Sequence, residues 1–120
     1  MIGIPVTISF QTFMNLLLEE VPELSIAYSE HIDDYDELIE HVFMGDVTRF
    51  SEELYFENPD SEVLKRLLHF IDRAFAVEDE KLKELISVSF LENLSRDEKS
   101  FEGIRGLLSA KLVEELSKYN

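Results

Sequence analysis

Residues 61–75, SEVLKRLLHFIDRAF, constrain the fold more than any other stretch. Val63, Leu64, Leu67, Leu68, Phe70, Ile71, Ala74 and Phe75 recur at spacings of three and four, which gives a helix one apolar side. A strand would need alternation with a period of two. Ser61 stands just ahead of the run, where a hydroxyl can accept an otherwise unpaired N–H of the first turn.

The same period runs through most of the chain. Phe10, Phe13, Met14, Leu17 and Leu18 make one face of a first helix behind Ser9, and Pro22 closes it or opens the next. A second helix is expected over residues 22–34, with Ile26, Ile32 and Tyr35 on its apolar side. Asp36 is a candidate N-cap for a helix through Leu38, Ile39, Val42 and Phe43. Gly45 then reads as a stop and Asp46 as a new cap. The following helix carries Val47, Phe50, Leu54 and Tyr55 and ends at the turn signal ENPD, residues 57–60. Asp79 caps a helix through Leu82, Leu85, Ile86, Val88, Ser89, Phe90 and Leu94. Its ISVSF segment has strand propensity but lies inside the longer helical period. After the turn SRDEKS come helices with Phe101, Ile104, Leu107 and Leu108, then Ala110, Leu112, Val113 and Leu116.

With only four Gly and three Pro, the expectation is all-α. Seven or eight short helices stack as antiparallel αα-hairpins, in a compact bundle or a short helical-repeat-like array. A length of 120 residues suits one domain, residues 1–120, with a modest core. No apolar run approaches a membrane span, so no membrane association is expected. The N-terminal MIGIPVTISF lacks the positive region of a secretory leader, and there is no cysteine for a disulfide framework. A cytoplasmic location follows as the expectation.

Charge is distributed unevenly. The net charge is −15, and the first basic residue of the whole chain is Arg49. Residues 19–60 hold fourteen acids and one base, a net of −13; residues 61–120 hold twelve acids and ten bases. Such a block repels nucleic acid and anionic membrane and draws cationic partners into fast encounter.

The densest part is residues 29–41, SEHIDDYDELIEH. On a continuous helix Glu30, Asp33, Asp34, Glu37, Glu40 and His41 form one stripe, opposite Tyr28, Ile32, Tyr35, Ile39 and Val42. Each i, i+4 pair of like charges, such as Glu30 with Asp34 or Asp33 with Glu37, costs about 0.2–0.5 kcal/mol. A partner that supplies cations would relieve it. A metal site is the competing reading, since His31, Asp34, Glu37 and His41 fall within reach along such a helix. But there are three histidines in total and no Glu-x-x-His pair of the di-iron type, so no metal ligand is assigned. Paired carboxylates could serve acid–base chemistry in a desolvated pocket, yet no nucleophile elbow, P-loop or dinucleotide fingerprint accompanies them. No catalytic residue, cofactor or enzyme activity is expected. Tyr55 and Phe56, flanked by Glu53 and Glu57, cannot both point inward.

Two stretches, HVFMGDVTRF at residues 41–50 and ISVSFLENL at residues 86–94, are similar to segments of small helical immunity proteins of bacterial contact-dependent growth inhibition and polymorphic toxin systems. The resemblance implies a cytoplasmic protein that binds and neutralises a cognate toxin domain, often a basic nuclease, by occluding its active-site groove. It carries over no toxin-contacting residue. The charge reading agrees, because a nuclease groove must hold a polyanion and is therefore cationic. The contact residues expected from charge and aromatics are Glu30, Asp33, Asp34, Asp36, Glu37, Glu40, Glu52, Glu53, Tyr55, Glu57 and Asp60. The alternative is an acidic adaptor or regulatory module for a basic protein segment, or a nucleic-acid mimic. In neither case does the protein bind nucleic acid itself.

Overall fold

The computed structural model describes residues 7–96 and 99–119. Residues 1–6, on which most of the leader reading rests, and Asp97 and Glu98 of the expected SRDEKS turn lie outside them. Among the described residues there is no strand. Seven α-helices follow one another: α1 (Phe10–Glu20), α2 (Ser25–Tyr35), α3 (Glu40–Glu57), α4 (Glu62–Phe75), α5 (Glu80–Glu84), α6 (Ser100–Leu107) and α7 (Ala110–Leu116). One 3-10 turn, Pro22–Leu24, leads into α2. A π-helical segment, Leu85–Leu91, continues α5, and a second 3-10 turn, Ser117–Tyr119, ends the described chain. No helix is long and apolar enough to cross a membrane among these residues.

Local chemistry accounts for most of the helix starts. Ser9 accepts the Thr12 N–H at 3.3 Å while Thr12 Oγ1 accepts the Ser9 N–H at 2.9 Å, a reciprocal cap on α1. Ser61 Oγ accepts from Leu64 N at 3.1 Å, and Ser109 Oγ from Leu112 N at 3.3 Å. Asp79 Oδ1 accepts from Leu82 N at 3.2 Å, as expected for a cap on α5. Its second oxygen, Oδ2, accepts the N–H of Phe10, the first residue of α1, at 2.8 Å. One carboxylate therefore serves two helix N-termini, and its bond to Phe10 spans 69 residues of chain.

The middle of the chain breaks elsewhere than its residues suggest. α3 runs unbroken for eighteen residues straight through Gly45 and Asp46. Phe43, Met44, Val47, Thr48 and Ser51 are all buried along it. That burial outweighs the cost of about 1 kcal/mol for a glycine inside a helix. The break falls at Asp36 instead, which is the C-cap of α2 rather than an N-cap. Asp36 takes a left-handed backbone, φ 61°, with its N–H on Ile32 O at 2.7 Å. Aspartate enters that region more readily than bulkier side chains do.

α3 is the axis of the bundle and packs on α2, α4, α6 and the π-helical segment; α1 packs on α4 and α5. One apolar core joins Phe13, Leu17, Phe43, Val47, Leu67, Ile71, Leu82, Phe90, Ile104 and Leu112 with their neighbours. ISVSF is helical, as its period implied, but wound more widely, with Glu92 N on Ser87 O at 3.1 Å. Every residue of Leu85–Leu91 except Val88 is buried. Carbonyls that the wide turn frees take side-chain donors: Thr48 Oγ1 bonds Phe90 O at 3.0 Å and Asn93 Nδ2 bonds Ser89 O at 2.7 Å.

Candidate functional site

α2 enters without a side-chain cap, carried on from the 3-10 turn that Pro22 starts. Its inward face is Leu24, Ala27, Tyr28 and His31, spaced i, i+3, i+4, i+7. The face expected from Ile26, Ile32 and Tyr35 is corrected: Ile26 is 74% exposed and Tyr35 is exposed, while Ile32 is half-buried. Turning His31 inward leaves Glu30, Asp33 and Asp34 in solvent.

His31 is 2% exposed and lies against the Tyr35 and Phe43 rings, with centroids 4.9 and 5.5 Å away. Its Nε2 accepts the Ile39 N–H at 2.9 Å. An amide can only donate, so this nitrogen carries a lone pair and the ring proton sits on Nδ1. Nδ1 has no hydrogen-bond partner; the Asp46 carboxylate is 4.0 Å from it. The imidazole thus pins residues 36–39 against α2 and satisfies an N–H at the entry of α3 that no helix turn can satisfy. His41 is committed to a different partner, its Nδ1 in a short contact with Ser89 Oγ on the π-helical segment. The two histidines do not converge. No group of three or more His, Asp or Glu side chains among the described residues is placed to hold a metal ion. The His41–Ser89 pair has the composition of a nucleophile and base. Ser89 is 4% exposed, however, so substrate could reach its oxygen only if the helix opened.

The single helical stripe over residues 30–41 is also corrected, because the left-handed turn at Asp36 divides it. Glu30, Asp33 and Asp34 sit on α2, and Asp36 and Glu37 in the connection, all exposed. Glu40, half-buried, opens α3, where its charge favours the helix N-terminus. Glu53 and Glu57 are exposed near the other end of α3, and Asp60 is exposed in the following turn.

The fold neutralises part of the acidic block itself. Glu20 pairs with Arg73 at 3.1 Å and Glu23 with Arg66 at 2.7 Å, so α4 supplies cations to the chain before it. Glu52 pairs with Arg49 at 3.0 Å and accepts the Ser95 N–H at 2.8 Å. It is a tie between α3 and the 92–96 segment rather than a free contact group. Among the described residues, Glu30, Asp33, Asp34, Asp36, Glu37, Glu40, Glu53, Glu57 and Asp60 have no ion-pair partner.

Tyr55 and Phe56 divide as the sequence required, but Tyr55 is the inward one. It is half-buried against the core, and a Cβ at Gly103 would fall on its ring, so α6 can approach only through that glycine. Phe56 is 86% exposed and lines an open groove of about 440 Å³ together with Arg49, Glu52, Glu53, Glu57, Ser95 and Ser100.

A third polar cluster lies at the far end. Ser87 Oγ donates to Glu115 Oε2 at 2.6 Å and meets the Tyr119 hydroxyl at 2.6 Å; Lys118 Nζ reaches Glu115 Oε1 at 2.8 Å. Lys118 and Ser87 hold the Glu115 carboxyl below its ordinary value, and Glu115 raises Lys118. A carboxylate stabilised in its charged form is a weak proton acceptor, so the cluster reads as a latch for the last turn.

These features define a small all-helical protein with an exposed acidic surface, part of which has no ion-pair partner among the described residues. The chain belongs to a family described as a domain of unknown function (DUF7674), whose model matches residues 14–120. No curated protein and no solved structure matches it.

Proposed function

We propose that the chain is a binding protein that neutralises a cationic partner through the face carried by α2, the 36–39 connection and the C-terminal end of α3. In this reading it is an immunity protein, acting in the cytoplasm without catalysis or cofactor. Its partner is a toxin domain with a basic nucleic-acid groove. The observation that supports it is a contrast within one acidic block. Glu20, Glu23 and Glu52 have arginine partners inside the fold, whereas Glu30, Asp33, Asp34, Asp36 and Glu37 are exposed with none among the described residues. Exposed like charges reduce stability slightly and raise the encounter rate with an opposite charge. The resemblance of residues 41–50 and 86–94 to immunity proteins supports the choice of partner.

Co-expression with the toxin encoded beside this chain tests the reading. The wild-type chain should keep cells alive. Asp33→Lys, Asp34→Lys and Glu37→Lys together should slow association about tenfold or more at low salt while the helical circular dichroism persists. Cells that die equally fast with and without the chain overturn the immunity role. Tight binding to a basic protein without protection is the result an adaptor would give.

A further inference from the structure

The groove beside Phe56 points to a more specific chemistry, which rests on the proposed cationic partner. Glu53, Phe56 and Glu57 occupy positions i, i+3 and i+4 of α3 and share one side of its last turns. A phenylalanine ring 86% in solvent is an apolar face that the fold leaves uncovered, at the rim of a groove of about 440 Å³. A wholly apolar partner would strip water from the two carboxylates without replacing their hydrogen bonds. An anion would meet both negative charges. Arg49, the cation in the groove, is already engaged by Glu52 Oε1 at 3.0 Å and Asn93 O at 2.9 Å. A second copy of the chain brings its own net charge of −15 and is repelled. A planar cation satisfies every part of the site. It stacks on the ring by its face and donates to carboxylates by its edge, and guanidinium does both better than ammonium because it is flat and weakly hydrated.

We propose that this groove receives an arginine side chain of a basic partner protein, its guanidinium lying on Phe56 between Glu53 and Glu57. Fluorescence anisotropy with labelled nona-arginine and nona-lysine peptides on the full chain tests it. The wild-type chain should bind nona-arginine more tightly than nona-lysine. Phe56→Ala, at an exposed position, should weaken nona-arginine about two- to fivefold, the range of an exposed cation–π contact. It should leave nona-lysine nearly unchanged. Glu53→Gln with Glu57→Gln should weaken both peptides. Equal affinity for the two peptides, or nona-arginine binding that Phe56→Ala leaves untouched, overturns the groove while the acidic-face reading stands. Binding of neither peptide by the wild-type chain overturns both.

Discussion

α2 and α4 are of similar length, eleven and fourteen residues, and are held in place by different physics. α4 buries Leu64, Leu67, Leu68, Phe70, Ile71 and Ala74, and its Arg66 and Arg73 reach out to Glu23 and Glu20. α2 buries one side chain below the surface, and that side chain is His31. A helix fixed by six apolar groups has little freedom in which face it shows. A helix fixed by one imidazole, three half-buried side chains and a left-handed turn leaves seven of its eleven residues exposed to solvent. The two helices thus divide the labour, α4 serving the core and α2 the surface. Five acids with no ion-pair partner among the described residues, Glu30, Asp33, Asp34, Asp36 and Glu37, lie on α2 and directly after it.

The largest effect is expected in α4. Ile71→Ala, at a fully buried position, should cost about 2–5 kcal/mol from lost burial and the cavity left behind. Against a typical stability of about 5–15 kcal/mol that is a large fraction, and urea denaturation should show the midpoint fall with the slope unchanged. A small loss there would mean that α4 is not the anchor described above.

His31→Ala in α2 should cost less, about 1–3 kcal/mol, because it leaves the Ile39 N–H without an acceptor and removes a ring packed on Phe43. Its signature should be local. Hydrogen exchange at Ile39 and the residues around Asp36 should accelerate well beyond the change in global stability, while α4 amides follow the global value. Uniform acceleration would show that α2 unfolds only with the whole and is held as firmly as α4.

Much of α4 and little of α2 was legible in the sequence, for the same reason. Periodicity reports burial of apolar groups, so Leu64, Leu67 and Ile71 announce their face. The caps at Ser9, Ser61 and Asp79 and the end of α3 at Asn58 are likewise local events, written within three or four residues. In α2 the buried residue is a histidine, which carries no hydrophobic signal. Ile26 and Tyr35 do carry one and are exposed. The i, i+3, i+4, i+7 run of Leu24, Ala27, Tyr28 and His31 was the available clue to the inward face. At Gly45 and Asp46 strong local stop signals yielded to burial on both sides of them. The exposed acids at 30, 33, 34, 36 and 37 follow from composition. Their division by a turn does not, and the choice of Phe56 over Tyr55 depends on Gly103 in a helix that is distant along the chain. Asp79 bonding Phe10 and Ser87 bonding Glu115 are long-range contacts that no local pattern encodes.

The smallest expected effect concerns a polar tie near the well-anchored half, where the core is already sufficient. Asp79 lies between α4 and α5, and the N–H groups of Phe10 and Leu82 hold its carboxyl below the usual aspartate range. The sign follows from that direction. A carboxyl whose value is lower in the folded chain stabilises the fold wherever it is ionised in both states, above its ordinary value of about 4. The contribution fades as pH falls through the lower folded-state value. Asp79→Asn keeps one acceptor oxygen and removes the charge. The gap in thermal midpoint between wild type and variant should therefore hold steady from about pH 7 to pH 5 and close in more acid solution. A gap that stays constant into acid would mean that the two helix starts need the geometry of the acceptor and not its charge. Asp79 would then be a neutral staple like Ser61. A gap that widens in acid would reverse the assigned direction and remove the carboxylate from the account of how α1 is fixed to α5.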